Sequence, residues 1–359
     1  MEIDFAQILM TTVRLGASDL HLTPGRPPMV RLRGDVVALD DLPVLNGQHT
    51  REIVYSILNS SQRKKFENEL QLDFAYAIPG RGRFRVNAYF QRGSIAAALR
   101  RIPSELENLE TLGLPLVLEE LTRKPRGLVL VTGPTGSGKS TTLASMIDLI
   151  NRERHDHILT IEDPIEFIHQ HKSCLVNQRE VGEDADTFSL ALKAALRQDP
   201  DVILVGEMRD LDTISTALTA AETGHLVFAT LHTQSTSQTI DRIIDVFPPH
   251  QQQQVRMQLS VALMGVVTQQ LIPTADGMGR AVGCEVLIPN SAVRNLVREG
   301  KTHQIYSVLQ TAGASGMQTM DSHLAQLVRM GKITRSVAES RAAQPEELRR
   351  VLGATMAAA

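Results

Sequence analysis

Residues 133–140 read GPTGSGKS, a GxxxxGK[ST] pattern that follows an apolar run, GLVLVTG (127–133), and precedes a helix-like stretch, TTLASMIDLIN. Glycines at these spacings let backbone N–H groups turn toward phosphate oxygens, and a helix N-terminus behind them adds positive potential. Such a loop makes a phosphate cradle of Gly133, Pro134, Thr135, Gly136, Ser137, Gly138, Lys139, Ser140 and Thr141. Lys139 would reach the β- and γ-phosphates of ATP, and the Ser140 hydroxyl would face Mg²⁺.

A phosphate loop alone names a very large class, so the neighbouring strand ends must narrow the chemistry. The run DVILVGE (201–207) ends in Gly206-Glu207, with glycine where many P-loop proteins carry an aspartate. That leaves the Glu207 carboxylate to orient or deprotonate an attacking water. The run HILTIED (157–163) leads into Pro164-Ile165-Glu166, so Glu162, Asp163 and Glu166 crowd one strand tip. Beside a phosphate loop such acids arrange metal and water. Ser140, Glu166 and Glu207 are the expected Mg²⁺ contacts, directly or through water. In GHLVFATLHT, His225 and His232 flank one strand and are expected to sense phosphate state. Metal ligation by them is disfavoured, because no Cys or His lies at a suitable spacing.

GLVLVTG, HILTIED, DVILVGE and HLVFATLH (225–232) are near-continuous apolar strands separated by helical patterns. That pattern predicts a parallel sheet covered on both faces, which holds its ligand at the carboxyl ends of the strands. Earlier in the chain, VRLRGDVVAL (30–39) and RFRVNAYF (83–90) alternate with period two, as half-buried strands do. Pro103, Gly113 and Pro115 punctuate a linker. The expected organisation is an N-terminal α+β domain over 1–102, a linker over 103–116 and a P-loop core over 117–285. A helical subdomain over 286–353 and a frayed alanine-rich tail over 354–359 complete it.

At 42% hydrophobic and 21% charged, the 359-residue chain has the balance of an ordinary globular protein, and its net charge of −3 gives no overall pull toward nucleic acid or an anionic membrane. No basic-then-apolar leader opens it. The longest uncharged run, Met257 to Ala275, carries Gln, Ser, Thr and Pro273 and is unsuited to crossing a bilayer. Two cysteines, Cys174 and Cys284, make neither a zinc site nor a disulfide framework, which points to a reducing cytosol.

GPTGSGKS, EDPIE, LVGEMRD and TGHLVFATLHT, in this order and spacing, resemble the Walker A, acidic, Walker B and His boxes of the secretion ATPases. These are the hexameric motors of type II and type IV secretion and of type IV pili. GASDLHL (16–22) is also similar to a segment of the family's N-terminal domain. The resemblance implies a PAS-like N-terminal domain joined to a RecA-like ATPase domain, with ATP at their junction. It bears on six arginines, Arg81, Arg83, Arg85, Arg92, Arg100 and Arg101, which occur with no acid among them. Taken alone they fit a solvated strand face, a nucleic-acid surface or a set of arginine fingers. The absence of Trp and the presence of only four Tyr argue against a base-stacking surface. The resemblance favours fingers, with Arg85 and Arg100 first and Arg83 next.

Residues 292–299, AVRNLVRE, can form a short helix, with Asn290 or Ser291 to cap its start and Gly300 to end it. Ala292, Val293, Leu296 and Val297 would share one face, and Arg294 and Arg298 would stack on another. The stretch is similar to the AIRNLIRE motif of the type IV pilus retraction ATPases, the PilT-like branch, with Val in place of Ile at 293 and 297. The run YSVLQTAGASGMQTMDSHLAQLVRMGKI (306–333) is similar to that branch as well. Assembly and secretion members usually carry a four-cysteine zinc insert, which two cysteines cannot make. The resemblance thus implies an ATP-hydrolysing homohexamer, cytoplasmic and peripheral to the inner membrane. It would act through a membrane platform protein to withdraw pilin for twitching motility, with no nucleic-acid partner. Arg294, Asn295, Leu296 and Arg298 would couple turnover to disassembly. An assembly motor, an auxiliary retraction motor and a RecA-type nucleic-acid motor stay open as alternatives.

Overall fold

The computed structural model describes residues 4–32, 34–78, 82–102 and 106–356, and the chain divides after Glu105 into two units. Six strands build the first unit: β1 (Asp19–Leu22), β2 (Met29–Leu32), β3 (Asp35–Ala38), β4 (Gln71–Ile78), β5 (Gly82–Gln91) and β6 (Ser94–Ile102). They pair antiparallel in the order β3-β2-β1-β6-β5-β4. The alternation in RFRVNAYF is realised in β5, where Phe84, Val86 and Ala88 are buried and Arg85 is exposed. The alternating stretch 30–39 is a hairpin rather than one strand. It turns at Gly34, whose φ of +100° suits a residue without Cβ, and Leu32 faces Asp35. Helices Gly47–Ser56 and Ser60–Glu69 both open with reciprocal capping boxes, Asn46 with His49 and Asn59 with Gln62. Phe66 of the second helix joins Leu20, Phe84 and Leu99 in the core.

Seven strands build the second unit: β7 (Gly127–Thr132), β8 (His157–Glu162), β9 (Leu175–Glu180), β10 (Val202–Val205), β11 (Leu226–Leu231), β12 (Leu263–Pro273) and β13 (Arg280–Leu287). Their order is β13-β12-β7-β11-β10-β8-β9, parallel except for β13, which runs antiparallel to β12. The four apolar runs are the adjacent strands β7, β11, β10 and β8. Every residue of β7 and β11 is buried. Alternate side chains explain why both faces read as apolar: Leu128, Leu130, Ile203 and Val227 enter the core on one side, Val129, Val131, Val202 and Phe228 on the other. Helices Lys139–Glu153, Phe188–Ala195, Leu211–Glu222, Thr236–Asp245 and Pro249–Ala262 belong to the same unit.

Two boundaries differ from the sequence expectation. Residues 103–105 lie outside the described residues, but the remainder of the expected linker is packed. Leu109 and Leu114 are buried with Leu118 and Leu121 in the second unit's core, and the Ser145 hydroxyl donates to the Glu107 carbonyl at 2.7 Å. Gly113 and Pro115 therefore punctuate a folded segment rather than a free tether. At the far end, the helix that starts at Pro345 continues to Met356, past the start of the expected tail, and 357–359 lie outside the described residues. Before it, helices Met320–Arg329 and Arg335–Arg341 gather around Leu324, Ile333 and Leu348.

Candidate active site

The phosphate loop leaves β7 at Gly133 and enters the helix Lys139–Glu153. Gly133, Gly136 and Gly138 have φ of +141°, +78° and +88°, a region that side chains with Cβ avoid. Gly138 occupies the N-cap and offers no side chain to the first turn. The helices at Leu211 and Thr236 differ: Asp210 and Ser235 accept from their first-turn N–H groups. The uncapped donors behind the phosphate loop are thus available to an anion. Ser137 is 2% exposed and its Oγ has no hydrogen-bond partner among the described residues, a second feature that suits an incoming phosphate oxygen. Lys139 is nearly buried and arches back over the loop, its Nζ donating to the Gly133 and Pro134 carbonyls at 2.9 and 3.1 Å. Burial pushes its pKa down, against the opposing pull of the Glu207 and Glu166 carboxylates. Ser140 and Thr141 sit half-buried in the helix's first turn.

Those two carboxylates follow β10 and β8, near enough for their charge to act on Lys139. Glu207 follows Gly206 at the end of β10. A Cβ at Gly206 would lie 3.2 Å from both the Glu162 Cα and the Ile161 carbonyl, so close packing against β8 explains the glycine there. Glu207 Oε1 pairs with Arg209 Nε at 2.7 Å and His232 Nε2 at 3.2 Å. Burial alone would raise the Glu207 pKa, but these two partners outweigh it and hold the carboxylate below its usual range. At pH 7 Glu207 is therefore an anion.

The three acids at and after the end of β8 do not act as a set. Glu162 turns inward, accepting from Thr160 Oγ1 at 2.6 Å, from Gln178 Nε2 at 3.2 Å and from the Glu166 backbone N–H, and burial raises its pKa. It shapes the Asp163–Glu166 loop, which is also pinned where the Ile165 N–H donates to Glu180 at 3.2 Å. Asp163 is exposed within the field of Arg209, and the Glu166 side chain is exposed toward Lys139's field. Among the described residues no three His, Cys, Asp or Glu side chains form a metal cage. Mg²⁺ usually keeps several waters and takes one or two carboxylates plus phosphate oxygens, so Ser140, Glu166 and Glu207 fit that mode.

The histidines separate. His232, at the carboxyl end of β11, bonds Glu207. His225 stands at the opposite end of the same strand: its carbonyl accepts from the Gly127 N–H at 3.0 Å, and its Nδ1 meets the Ala220 carbonyl at 3.0 Å. Six strand residues, ~20 Å, separate it from the phosphate loop within the chain, which corrects its expected place at the nucleotide edge. The parallel register requires this, since only one end of β11 lies beside the end of β7. Nothing in LVGEMRD marks Arg209 as a site residue, because an arginine two residues past a strand-end glutamate looks like any surface charge.

Of the arginine cluster, Arg81 lies outside the described residues. Arg85 and Arg100 are cross-strand partners on β5 and β6, in one row with Asp19 and Arg31. Arg100 Nε pairs with Asp19 at 2.9 Å, and Arg85 Nε meets Asp73 at 3.9 Å. Arg83 lies on the same strand, half-buried.

AVRNLVRE forms the helix Ser291–Glu299, capped by the Asn290 side chain on the Val293 N–H at 3.0 Å and ended by Gly300 at φ +70°. Val293 and Val297 are buried, Leu296 is partly buried, and Ala292 is exposed rather than part of the apolar face. The arginine stripe is also unequal. Arg294 is half-buried and donates to the Val261 carbonyl at 2.9 Å and to the Ser260 carbonyl, closing the end of helix Pro249–Ala262. Arg298 is exposed, and Asn295 bonds Glu299 at 2.8 Å on the surface.

Residues 1–355 match the model of a family described as "Type II/IV secretion system protein". The chain is 53% identical over 344 residues to the type IV pilus retraction ATPase PilT of Pseudomonas aeruginosa, covering 96% of this chain and 99% of that one. It is 53% identical over 321 residues to a twitching motility protein of Neisseria gonorrhoeae, covering 89% and 86%. A crystal structure of the pilus retraction motor PilT with bound ADP superposes with a TM-score of 0.91 at 52% identity, covering 97% of this chain and all of the other. No helix among the described residues is long and apolar enough to cross a membrane. The chain belongs to the type II/IV secretion system protein family and stands in it with the type IV pilus retraction ATPases.

Proposed function

We propose that this chain hydrolyses ATP in a homohexameric ring and drives type IV pilus retraction, withdrawing pilin through an inner-membrane platform protein for twitching motility. The observation that carries the reading is Glu207: an anionic carboxylate at a strand end, close enough to Lys139 to act on its proton affinity and held by His232 and Arg209. Backbone N–H groups of the loop from Gly133 to Thr141 grip the phosphates, and Lys139 swings from its two carbonyl partners to the β- and γ-phosphates. Glu207 orients and deprotonates the attacking water, while Glu166 and Ser140 hold the solvent and metal side of the phosphates. Ser140, Glu166 and Glu207 would hold Mg²⁺, directly or through water, and the ion would supply positive charge against the negative charge that develops on the phosphates. His232 reports on the γ-phosphate because it shares the Glu207 carboxylate. His225 has no part in the site of its own chain. Arg85 and Arg100 act as arginine fingers in the assembled ring, on a PAS-like first domain, and the second domain is RecA-like. The protein is peripheral to the inner membrane at the pilus base. The helix Ser291–Glu299 passes turnover on to disassembly, with Arg298 and Asn295 as its outward residues and Leu296 partly buried against the core.

Two measurements test this. Glu207→Gln should bind ATP as the parent does and lose turnover by ~10²–10⁴, the range for a general base. Near-normal turnover would assign the base elsewhere. A strain lacking the gene should retain or accumulate surface pili and stop twitching. A strain that loses its pili would make the protein an assembly motor.

A further inference from the structure

The phosphate loop carries three glycines at positive φ, residues with wide backbone freedom, so contacts from around the loop fix its shape. Within the loop the Ser137 N–H donates to the Pro134 carbonyl at 3.2 Å. From outside, β12 supplies Gln269, which is 1% exposed. Its Nε2 donates to the Ser137 carbonyl at 2.8 Å, and its Oε1 accepts from Thr142 Oγ1 at 3.0 Å on the helix's first full turn. Its own carbonyl closes the third side, since a Cβ at Gly133 would lie 2.3 Å from that oxygen. One residue thus touches the start of the loop, its last turn and the helix behind it.

The bond to Ser137 has a directional consequence. In a trans peptide unit the C=O of one residue and the N–H of the next point to opposite sides. Holding the Ser137 carbonyl against β12 turns the Gly138 N–H away from β12, toward the mouth of the loop. That N–H is one of the donors a phosphate loop presents to its anion. The primary amide suits this position because it carries a donor group and an acceptor group on one side chain, and both are engaged.

We propose that Gln269 is a positioning residue for nucleotide binding, fixing the peptide between Ser137 and Gly138 so that its N–H faces the phosphates. This rests on the ATPase reading above. Because the N–H serves substrate, transition state and ADP alike, its misalignment changes affinity more than chemistry.

The test compares the full-length chain with Gln269→Met, which keeps the length and loses both bonds, and with Gln269→Glu, which sets an acceptor against the Ser137 carbonyl. ADP affinity is measured by calorimetry, steady-state kcat and KM for MgATP are determined, and melting of the nucleotide-free protein is the folding control. Both variants should weaken ADP binding and raise KM by ~10-fold or more, as expected for one charge-assisted hydrogen bond, with kcat within about threefold. ADP affinity within about twofold of the parent, or a fall in kcat at unchanged affinity, overturns the proposal. Should Gln269→Met fail to fold, Thr142→Val carries the test, since it keeps the amide but removes its anchor. A smaller loss of affinity supports the role, and unchanged affinity overturns it. A parent chain that binds no nucleotide would instead sink the ATPase reading.

Discussion

Arg294→Ala and Arg298→Ala should behave as different kinds of mutation, although the two arginines stand four residues apart on one helix. Arg294 Nη1 bonds the Ser260 carbonyl, which is partly buried, and the exposed Val261 carbonyl, both at the C-terminal end of helix Pro249–Ala262. Burial and the neighbouring Arg298 both push its pKa down, but a guanidinium stays charged throughout the working range. Truncation strands the partly buried Ser260 carbonyl, at about 1–3 kcal/mol, and removes a cation from a helix C-terminus, at about 0.3–1 kcal/mol. A total near 2–3 kcal/mol corresponds to a fall in Tm of about 5–10 °C for a unit of this size. Arg298 is exposed, and its truncation should stay within about 0.5 kcal/mol. Calorimetry of the two single variants decides. Equal melting temperatures for Arg294→Ala and the parent would refute the role as a helix clamp, and an equal fall in both variants would refute the distinction. Only after that comparison does a loss of twitching report on coupling. Arg298→Ala, with ATPase and melting intact, is the variant that should stop retraction, whereas the double substitution confounds coupling with stability.

Arg209→Ala removes the first of the partners that outweigh burial at Glu207, so the carboxylate pKa should rise and the acid limb of the kcat/KM–pH profile should move to higher pH. An unmoved limb would show that Glu207 is not the titrating base. His323 Nδ1 accepts from the Cys284 N–H at 2.9 Å, and burial holds its pKa down from 6.5 to about 4. The unfolded chain therefore binds a proton that the native chain refuses, and stability falls as pH drops from 6.5 toward 4. His323→Gln, whose Oε1 can accept the same N–H, should flatten that slope by up to about 1.4 kcal/mol per pH unit. Parallel curves of Tm against pH for variant and parent would refute this.

The strands that carry the site were legible because they are buried on both faces, which leaves a continuous apolar run and no competing pattern. β12 escaped for the opposite reason. Its run LMGVVTQQLIP holds Thr268 and Gln269 inside a buried strand, and polar residues there look like surface until Thr132 and Ser137 are seen to receive them. Spacing also gave the helix at AVRNLVRE with both of its caps, since Asn and Gly declare those positions locally. Which acid or histidine faces the phosphate loop depends on strand direction and side-chain turn. One-dimensional spacing treats His225 and His232 alike and cannot tell an inward Glu162 from an outward Glu166. Parallel register separates the first pair, and the hydroxyl of Thr160 with the amide of Gln178 separates the second.

In the first unit, GASDLHL has a physical reason to contain its aspartate. Asp19 is 8% exposed and sits between Arg31 at 3.7 Å and Arg100 at 2.9 Å. Burial works to raise its pKa, but the Ser18 hydroxyl and the Arg100 guanidinium outweigh this and hold it low. The Arg100 side chain is 74% exposed, so the pair adds only about 0–1 kcal/mol to folding, too little to account for a nearly buried carboxylate. Its effect is geometric: it holds one guanidinium out of the row formed by Arg31, Arg100 and Arg85. If Arg100 is a finger, Asp19→Asn should leave melting nearly unchanged and lower ATPase about tenfold, a fraction of the 10³–10⁵ a finger can supply. Arg100→Ala should lose more, and the double variant should lose no more than Arg100→Ala alone, because Asp19 then acts only through Arg100. Losses that multiply in the double variant would separate the two residues, and the aspartate would need another partner.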